Sequence, residues 1–115
     1  MKNKKDNIIV TKTFDFACDV IDLEDKLIEK RRFVLSKQVV GSGMSIGANV
    51  REAQSAESKA DFIHKLKIAS KEAEETEHWL LLCKHSKSYP DCDNLLLQIT
   101  SILKVLGKII SSSRK

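Results

Sequence analysis

Apolar residues in the second half of the chain recur at alternating four- and three-residue steps, the spacing of a helix that is packed along its whole length. The first of these runs predicts a helix from about residue 59 to residue 85, with Ser58 as its N-cap. Its inward line consists of Phe62, Leu66, Ala69, Ala73, Thr76, Leu80 and Cys83. Because no step of this line is missed, the pattern defines this helix more firmly than any other.

A second run with the same spacing predicts a helix from about residue 92 to residue 110. Pro90 and Asp91 separate it from the preceding helix, because proline cannot continue a helix and aspartate favours the start of one. Its inward line consists of Leu95, Ile99, Ile102, Leu106 and Ile109.

The fourth helix carries a second apolar line at seven-residue spacing, formed by Leu96, Leu103 and Ile110. One core requires only one line, so the second would leave an apolar patch on a single chain, and self-association follows as a hypothesis. Short connections between four helices predict an all-α fold, an up-down-up-down four-helix bundle.

The first half of the chain predicts two further helices, from about residue 8 to residue 29 and from about residue 33 to residue 54. No strong helix breaker lies between them, and the boundary at residues 30–32 rests on a shift in the phase of the apolar pattern. We expect the first helix to turn a broad stripe inward, made of Val10, Phe14, Ala17, Ile21 and Ile28, with Phe16, Val20, Leu23 and Leu27 beside it.

Glycines interrupt the second helix, whose inward line is Leu35, Val39, Ile46, Val50 and Ala53. Each glycine costs a helix about 1 kcal/mol relative to alanine, so a compensating contact is expected. Gly43 and Gly47 lie four residues apart on one face, where the missing side chains would let another backbone approach closely. A kink at the glycines is the less favoured alternative.

Length and composition fit one helical domain that covers residues 1–115, since 42% of the residues are hydrophobic but only 5% are aromatic. No apolar run approaches the roughly 20 residues that span a bilayer, and the first residues do not resemble a secretion signal. We therefore expect a cytoplasmic protein without membrane contact. Cys18, Cys83 and Cys92 lack CxxC spacing, so we expect reduced cysteines, two of them small core residues.

Charge is segregated along the chain, although the formal net charge is only +4. Residues 13–29 contain six acidic residues, namely Asp15, Asp19, Asp22, Glu24, Asp25 and Glu29, against the single Lys26. Cations collect at residues 30–32, on the third helix and towards the C-terminus. Such segregation can hold subunits together or present a basic face to phosphates, although scattered lysines also fit an ordinary solvated surface.

Polar residues beside the inward lines predict a structural network, formed by Asn49, Glu52, Glu72 and Glu75. We favour this role over direct ligand binding, because buried polar groups can fix helix register or a subunit interface.

Enzymatic chemistry finds little support in the sequence. Glu75 and His78 have the Glu-x-x-His spacing of di-iron bundles, but those sites require a second such pair on another helix. The three histidines share one helix, and no serine or cysteine lies beside them in a recognisable nucleophile motif. We therefore expect no metal, no cofactor and no enzymatic activity.

The segments that carry a family resemblance are SIGANVREA at residues 45–53, then residues 61–63, 71–73 and 79–80. Together they resemble the four-helix-bundle proteins encoded within bacterial 23S rRNA intervening sequences, also called S23 ribosomal proteins, over nearly the whole chain. The resemblance implies a left-handed up-and-down bundle that assembles into a ring, expected to be a pentamer. Accessory proteins of diversity-generating retroelements, which bind nucleic acid and cooperate with a reverse transcriptase, form a related group.

The functional expectation is a non-enzymatic homo-oligomer that binds structured RNA or another nucleic acid through phosphates. The candidate contacts are basic: Arg51, Lys65, Lys67, Lys71, Lys104 and Lys108. Such binding would release counterions and read little sequence, since the chain has one tryptophan, one tyrosine and no aromatic platform. The alternative is a scaffold that recruits a protein partner, for example as the accessory subunit of a reverse transcriptase, with the charge asymmetry serving assembly.

Overall fold

The computed structural model describes residues 4–114, with side chains from residue 8 onward, and this range forms four helices. They are α1 (Lys4–Glu29), α2 (Phe33–Ala53), α3 (Lys59–His85) and α4 (Asp93–Ser113). They pack into a body of 46 × 19 × 19 Å. The predicted all-α four-helix bundle is confirmed, while its up-down-up-down order and its left-handedness stay predictions. Residues 1–3 and 115 of the predicted domain lie outside the described residues, α1 begins before its predicted start, and α4 extends beyond its predicted end.

The inward lines predicted for α3 and α4 are confirmed, because all their residues are buried. The apolar patch predicted beside the line of α4 is wrong. Leu96, Leu103 and Ile110 are half-buried and pack against the core, where they cover the edge of the inward line. The large exposed apolar side chains of the described residues lie elsewhere, several of them on α1.

The inward stripe predicted for α1 is confirmed on one side and wrong on the other. Phe16, Val20, Leu23 and Leu27 are buried as predicted, and Val10 and Ala17 are half-buried. Phe14, Ile21 and Ile28 were expected inside but are exposed by 58%, 42% and 46%. Thr13 is buried in their place. A hydroxyl can be buried there because it donates a hydrogen bond to the Ile9 carbonyl at 2.8 Å. The buried line of α1 is Ile9, Thr13, Phe16, Val20, Leu23 and Leu27. α1 therefore presents apolar side chains at seven-residue spacing to its surroundings.

Gly43 and Gly47 allow α1 and α2 to approach closely, as the sequence predicts. A Cβ at position 43 would lie 3.1 Å from Val20 Cγ2, and a Cβ at position 47 would lie 3.3 Å from the Thr13 carbonyl oxygen. Both distances are shorter than ordinary van der Waals contact. The two contacts also show that these helices run in opposite directions, since the later glycine meets the earlier residue.

The break between α1 and α2 is a Schellman motif without glycine. The Arg31 N–H donates to the Ile28 carbonyl at 2.9 Å, and the Arg32 N–H donates to the Leu27 carbonyl at 2.8 Å. Arg31 has a φ of 61°, in the left-handed region where a side chain costs about 1 kcal/mol. The predicted boundary is confirmed, and the arginine explains why no breaker marks it in the sequence.

α4 is the one helix within the described residues that could cross a membrane by length and composition, a test that core helices of soluble bundles also pass. Its five most buried residues form the inward line of the bundle, and Lys104 and Lys108 are exposed on its outer side. The packing therefore accounts for its apolar character, and the absence of membrane contact stays a prediction.

Two of the cysteines are core residues, as predicted. Cys83 and Cys92 are buried, and their thiols donate to the carbonyls of Pro90 at 3.4 Å and Leu80 at 3.3 Å. Burial, followed by the neighbouring Cys92, raises the pKa of Cys83 to about 12. Burial also raises the pKa of Cys92. Both thiols therefore stay protonated and unreactive near neutral pH, whereas Cys18 is exposed.

Alkylation of the native protein with iodoacetamide at about pH 8 is expected to modify Cys18 alone, because the reaction requires an accessible thiolate. Intact-mass spectrometry is expected to show one adduct on the folded chain. Unfolding before the reaction should raise the number to all three cysteines of the sequence. Fast labelling of Cys83 under native conditions would contradict its burial in the core.

Candidate nucleic-acid interface

Four of the six predicted contact residues are available cations on neighbouring helices. Lys67 and Lys71 are exposed on α3, and Lys104 and Lys108 are exposed on α4, which packs against α3. Among the described side chains, none of the four has an acidic partner within 4.0 Å. Within the described residues these four ammonium groups are therefore not engaged in ion pairs, and they are available to a phosphate. The nearest acidic residues in sequence on α3 are Glu72, Glu74 and Glu75, which follow Lys71.

The other two predicted contacts are in different surroundings. Lys65 is half-buried, and its ammonium lies 3.1 Å from Glu52 Oε1, so this charge already has a partner across the α2–α3 contact. An exposed pair of this kind contributes at most about 1 kcal/mol to stability. Arg51 is exposed in the last turn of α2, where a cation interacts favourably with the negative end of the helix dipole.

The structure brings only part of the predicted polar network together. The Asn49 amide donates to the Ser45 carbonyl at 2.9 Å and to Ser45 Oγ at 3.2 Å, which keeps its bonds within α2. Glu52 meets Lys65, as described above, rather than another member of the network. Glu72 contributes its backbone carbonyl to the Thr76 hydroxyl at 2.8 Å, and Glu75 is exposed. Of the four residues, Asn49 thus bonds within its own helix and Glu52 alone forms an ion pair between helices within the described part of the chain, so the predicted network is not formed.

The polar contact that does join α2 and α3 in the core involves small hydroxyl residues. Thr76 Oγ1 lies 2.8 Å from Ser42 Oγ, and both side chains are buried. Ser42 Oγ also donates to the Gln38 carbonyl at 3.0 Å. The sequence predicts Thr76 on the inward line of α3, but it did not predict that Ser42 would be buried opposite it.

The predicted acidic face of α1 is present. Asp15, Asp22, Asp25 and Glu29 are exposed, while Asp19 accepts a 2.7 Å hydrogen bond from the Gln98 amide of α4. α1 carries seven of the sixteen acidic residues of the chain, and α3 carries five more beside its lysines, namely Asp61, Glu72, Glu74, Glu75 and Glu77. The excess of acidic over basic residues makes α1 the helix least suited to a nucleic acid.

An apolar groove follows the contact between α1 and α2. It has a volume of about 210 Å³ and is lined mainly by carbon, with Arg51 at its edge. The apolar lining residues are Val10, Phe14, Ala17, Met44 and Ala48. Ile21 extends the exposed apolar surface along α1 beyond the groove. A contiguous surface of this kind is typical of a site that another protein segment covers.

The possible metal motif is open to solvent. Glu75 and His78 are both exposed, and the His78 ring makes an edge contact with Trp79 at a centroid distance of 5.0 Å. Within the described residues, no group of three histidine, cysteine or acidic side chains could hold a metal ion. The absence of a metal and of catalysis stays a prediction.

Sequence reasoning missed one candidate feature, an exposed aromatic residue directly after three consecutive cations. Phe33 is 54% exposed and follows Lys30, Arg31 and Arg32. The run itself was visible in the sequence. What it could not show was that Tyr89, from the distant α3–α4 connection, lies beside Arg32 with 4.9 Å between the guanidinium carbon and the ring centroid.

Comparison with known proteins identifies the family of the chain and a related structure. The family model of the 23S rRNA-intervening sequence protein matches residues 5–108. The chain is similar to a crystal structure of a protein of unknown function from the S23 ribosomal protein family of Bacteroides thetaiotaomicron VPI-5482. The two share 44% sequence identity and a TM-score of 0.88, over 93% of this chain and 98% of the other. No curated protein matches. Because the family model covers most of its length, the chain belongs to the 23S rRNA-intervening sequence protein family.

Proposed function

We propose that this protein is a non-enzymatic, homo-oligomeric bundle that binds structured RNA through the outer faces of α3 and α4. The observation that carries the proposal is a set of four exposed lysines that form no ion pair with the described acidic side chains, Lys67, Lys71, Lys104 and Lys108. α4 carries Asp93 as its one acidic residue, whereas α3 carries five, so α4 is the more basic of the two helices. The names of the family and of its structural relative, which refer to rRNA and to the ribosome, give the proposal its ligand class.

The binding mechanism is electrostatic. Each lysine that neutralises a phosphate releases a condensed counterion, so affinity falls as salt concentration rises. Lysine ammonium groups on flexible stems contact phosphates without distinguishing bases, so these four residues supply affinity rather than sequence readout. Lys65 is expected to contribute less to RNA affinity than the other candidate contacts, because Glu52 already compensates its charge.

Filter binding to ribosomal RNA across about 50 to 200 mM salt tests the proposal. The double variant Lys67→Gln, Lys71→Gln is expected to lower the slope of log affinity against log salt by about 1.5, because each phosphate contact contributes about 0.7 to 0.9. The matched control is Lys26→Gln with Lys59→Gln, which removes the same charge from α1 and from the start of α3, at residues outside the six candidate contacts. The control slope is expected to change little. Absent binding at low salt, or equal slopes for the two variants, would contradict the proposal.

Assembly is the second part of the proposal. The groove between α1 and α2 and the neighbouring Phe14 and Ile21 would be covered by another subunit, which removes an apolar surface that a lone chain exposes. The family resemblance suggests a ring, with five subunits as the expected number. Oligomerisation would also multiply the lysine contacts on one RNA and raise affinity through the high effective concentration of linked sites.

A protein-recruiting scaffold is the second candidate, and the same apolar groove is the observation that favours it. In that case the groove would take a segment of a partner, such as a reverse transcriptase, instead of another subunit. Pull-down of a specific protein that survives nuclease treatment, combined with a monomeric purified chain, would support this reading over the first.

A further inference from the structure

The two connections at one end of the bundle meet through a cation and an aromatic ring. Arg32 precedes α2, and Tyr89 lies in the connection between α3 and α4. The guanidinium carbon of Arg32 lies 4.9 Å from the centroid of the Tyr89 ring, within the range of a cation–π contact. Residues 30–33 and 87–89 lie far apart in sequence and are joined by this contact, and we call the two segments together the connector end.

Most of the cations at the connector end form no ion pair with the described acidic side chains. Lys30, Arg31 and Lys87 are exposed, and none has an acidic partner within 4.0 Å among the described residues. Lys84 is different, because its ammonium lies 3.3 Å from Asp93 Oδ1. The acidic groups nearest in sequence are Glu29, Asp91 and Asp93, and only Asp93 forms an ion pair.

Arg32 is held by stacking rather than by an acceptor. Its Nε is buried and has no hydrogen-bond partner, and no carboxylate pairs with its guanidinium within the described part of the chain. Tyr89 contacts the group without neutralising it. A guanidinium that an aromatic ring contacts and no carboxylate neutralises is well suited to bind a phosphate, because its N–H donors form charge-assisted hydrogen bonds.

Arg31 occupies a backbone conformation that glycine adopts more readily. Its φ of 61° closes the Schellman motif of α1, and glycine is the usual residue at that position. Stability alone therefore favours glycine there, whereas arginine adds a cation to the exposed turn. Residues in strained conformations are concentrated at functional sites, where the side chain serves a purpose other than stability.

Phe33 supplies the apolar component of the surface. Its side chain is 54% exposed directly after the three cations, and Val34 beside it is 81% exposed. An exposed aromatic ring among cations is the arrangement on which unpaired bases stack while their phosphates are neutralised. Two apolar side chains are too few for stable anchoring in a bilayer, which argues against an anionic membrane as the ligand.

From this arrangement we infer that the connector end is a second nucleic-acid site, which binds an unpaired strand. Lys30, Arg31, Arg32 and Lys87 contact its phosphates, and Phe33 stacks on a base. The inference rests on the proposed RNA binding and adds to it, since the lysines of α3 and α4 contact backbone phosphates without a stacking residue. An unpaired loop of a structured RNA would thus be held at the end of the bundle.

Two variants with different signatures test the site, using a fluorescein-labelled (U)20 oligonucleotide and fluorescence anisotropy. Phe33→Leu keeps an apolar side chain but removes the ring, and is expected to weaken binding about tenfold with an unchanged salt slope, because stacking is not electrostatic. Lys30→Gln with Lys87→Gln is expected to lower the salt slope by about 1.4, at about 0.7 per contact with a single strand. Lys26→Gln with Lys59→Gln is again the charge-matched control and is expected to bind like the unmodified protein.

Arg31→Gly separates binding from folding. Glycine relieves the left-handed strain, so the variant is expected to melt a few °C higher while binding (U)20 several-fold more weakly. A loss of affinity in a more stable protein has no explanation in unfolding. Unchanged affinity in Arg31→Gly and Phe33→Leu would overturn the inference.

The outcomes distinguish this site from the broader proposal. If the unmodified protein binds neither ribosomal RNA nor (U)20 at low salt, both ideas fail. If it binds RNA, loses affinity in Lys67→Gln with Lys71→Gln, and is unaffected at the connector end, only the present inference fails. Sedimentation with phosphatidylserine vesicles in place of (U)20 binding would overturn it in favour of a lipid surface.

Discussion

Gly43→Val is expected to lower the free energy of unfolding by about 2 kcal/mol, because the new side chain has no space between α1 and α2. The first added carbon would lie 3.1 and 3.3 Å from the two Val20 methyl groups and 3.7 Å from Thr76 Cγ2. Val20 and Thr76 are themselves buried, and β-branched side chains have few alternative rotamers, so neither moves aside cheaply. Helix propensity works in the opposite direction but returns only about 0.4 kcal/mol.

Gly41→Val is the matched control for this prediction. It makes the same chemical change in the same helix, but a Cβ at position 41 meets nothing within 4 Å. Only the gain in helix propensity remains, so stability is expected to rise by a few tenths of a kcal/mol. Urea denaturation followed by circular dichroism measures both variants. Equal stabilities would show that the approach of α1 to α2 at Gly43 is looser than 3.1 Å implies.

The regularity of the apolar spacing explains for which helices the sequence predicted the buried face correctly. The lines of α3 and α4 were read correctly because each inward line keeps its four- and three-residue steps throughout. α1 carries two candidate apolar lines one position apart, and the true one contains Thr13. A hydroxyl residue lowers the apparent hydrophobicity of its line, although the bond to the Ile9 carbonyl satisfies it within the helix. Periodicity alone could not reveal that bond.

The residues of the two candidate interfaces could be predicted to different degrees, because exposure follows from one helix alone whereas contacts between segments do not. The four unpaired lysines of α3 and α4 could be selected from composition and helical phase, because exposure follows directly from the opposite face. Ion pairs between helices depend on register, so the pairing of Lys65 with Glu52 and the local bonds of Asn49 were not foreseeable. The connector end depends on two turns meeting in space, and one of them is closed by an arginine where the sequence rules expect glycine.

The exposed apolar line of α1 leads to the second large prediction. Phe14→Glu with Ile21→Glu is expected to convert the proposed oligomer into a folded monomer. Burying each of these half-exposed side chains stabilises an interface by about 1 to 2 kcal/mol, so replacing both removes about 3 kcal/mol from each subunit contact. That loss corresponds to a weakening of association by at least about a hundredfold. The glutamates add a desolvation penalty and repel the acidic residues already on α1.

Sedimentation velocity at micromolar concentration measures the effect, with thermal melting as the check on folding. Phe14 and Ile21 are outside the buried line of α1, so the variant is expected to keep its helical content. The charge-matched control is Leu97→Glu with Thr100→Glu, since both residues are exposed on α4 away from the groove. The control is expected to sediment like the unmodified protein. If the unmodified protein is itself a folded monomer, another subunit does not cover the α1 surface. The proposal that several subunits present their α3 and α4 lysines to one RNA is then wrong. If both variants dissociate equally, the subunit contact is not centred on the α1–α2 groove.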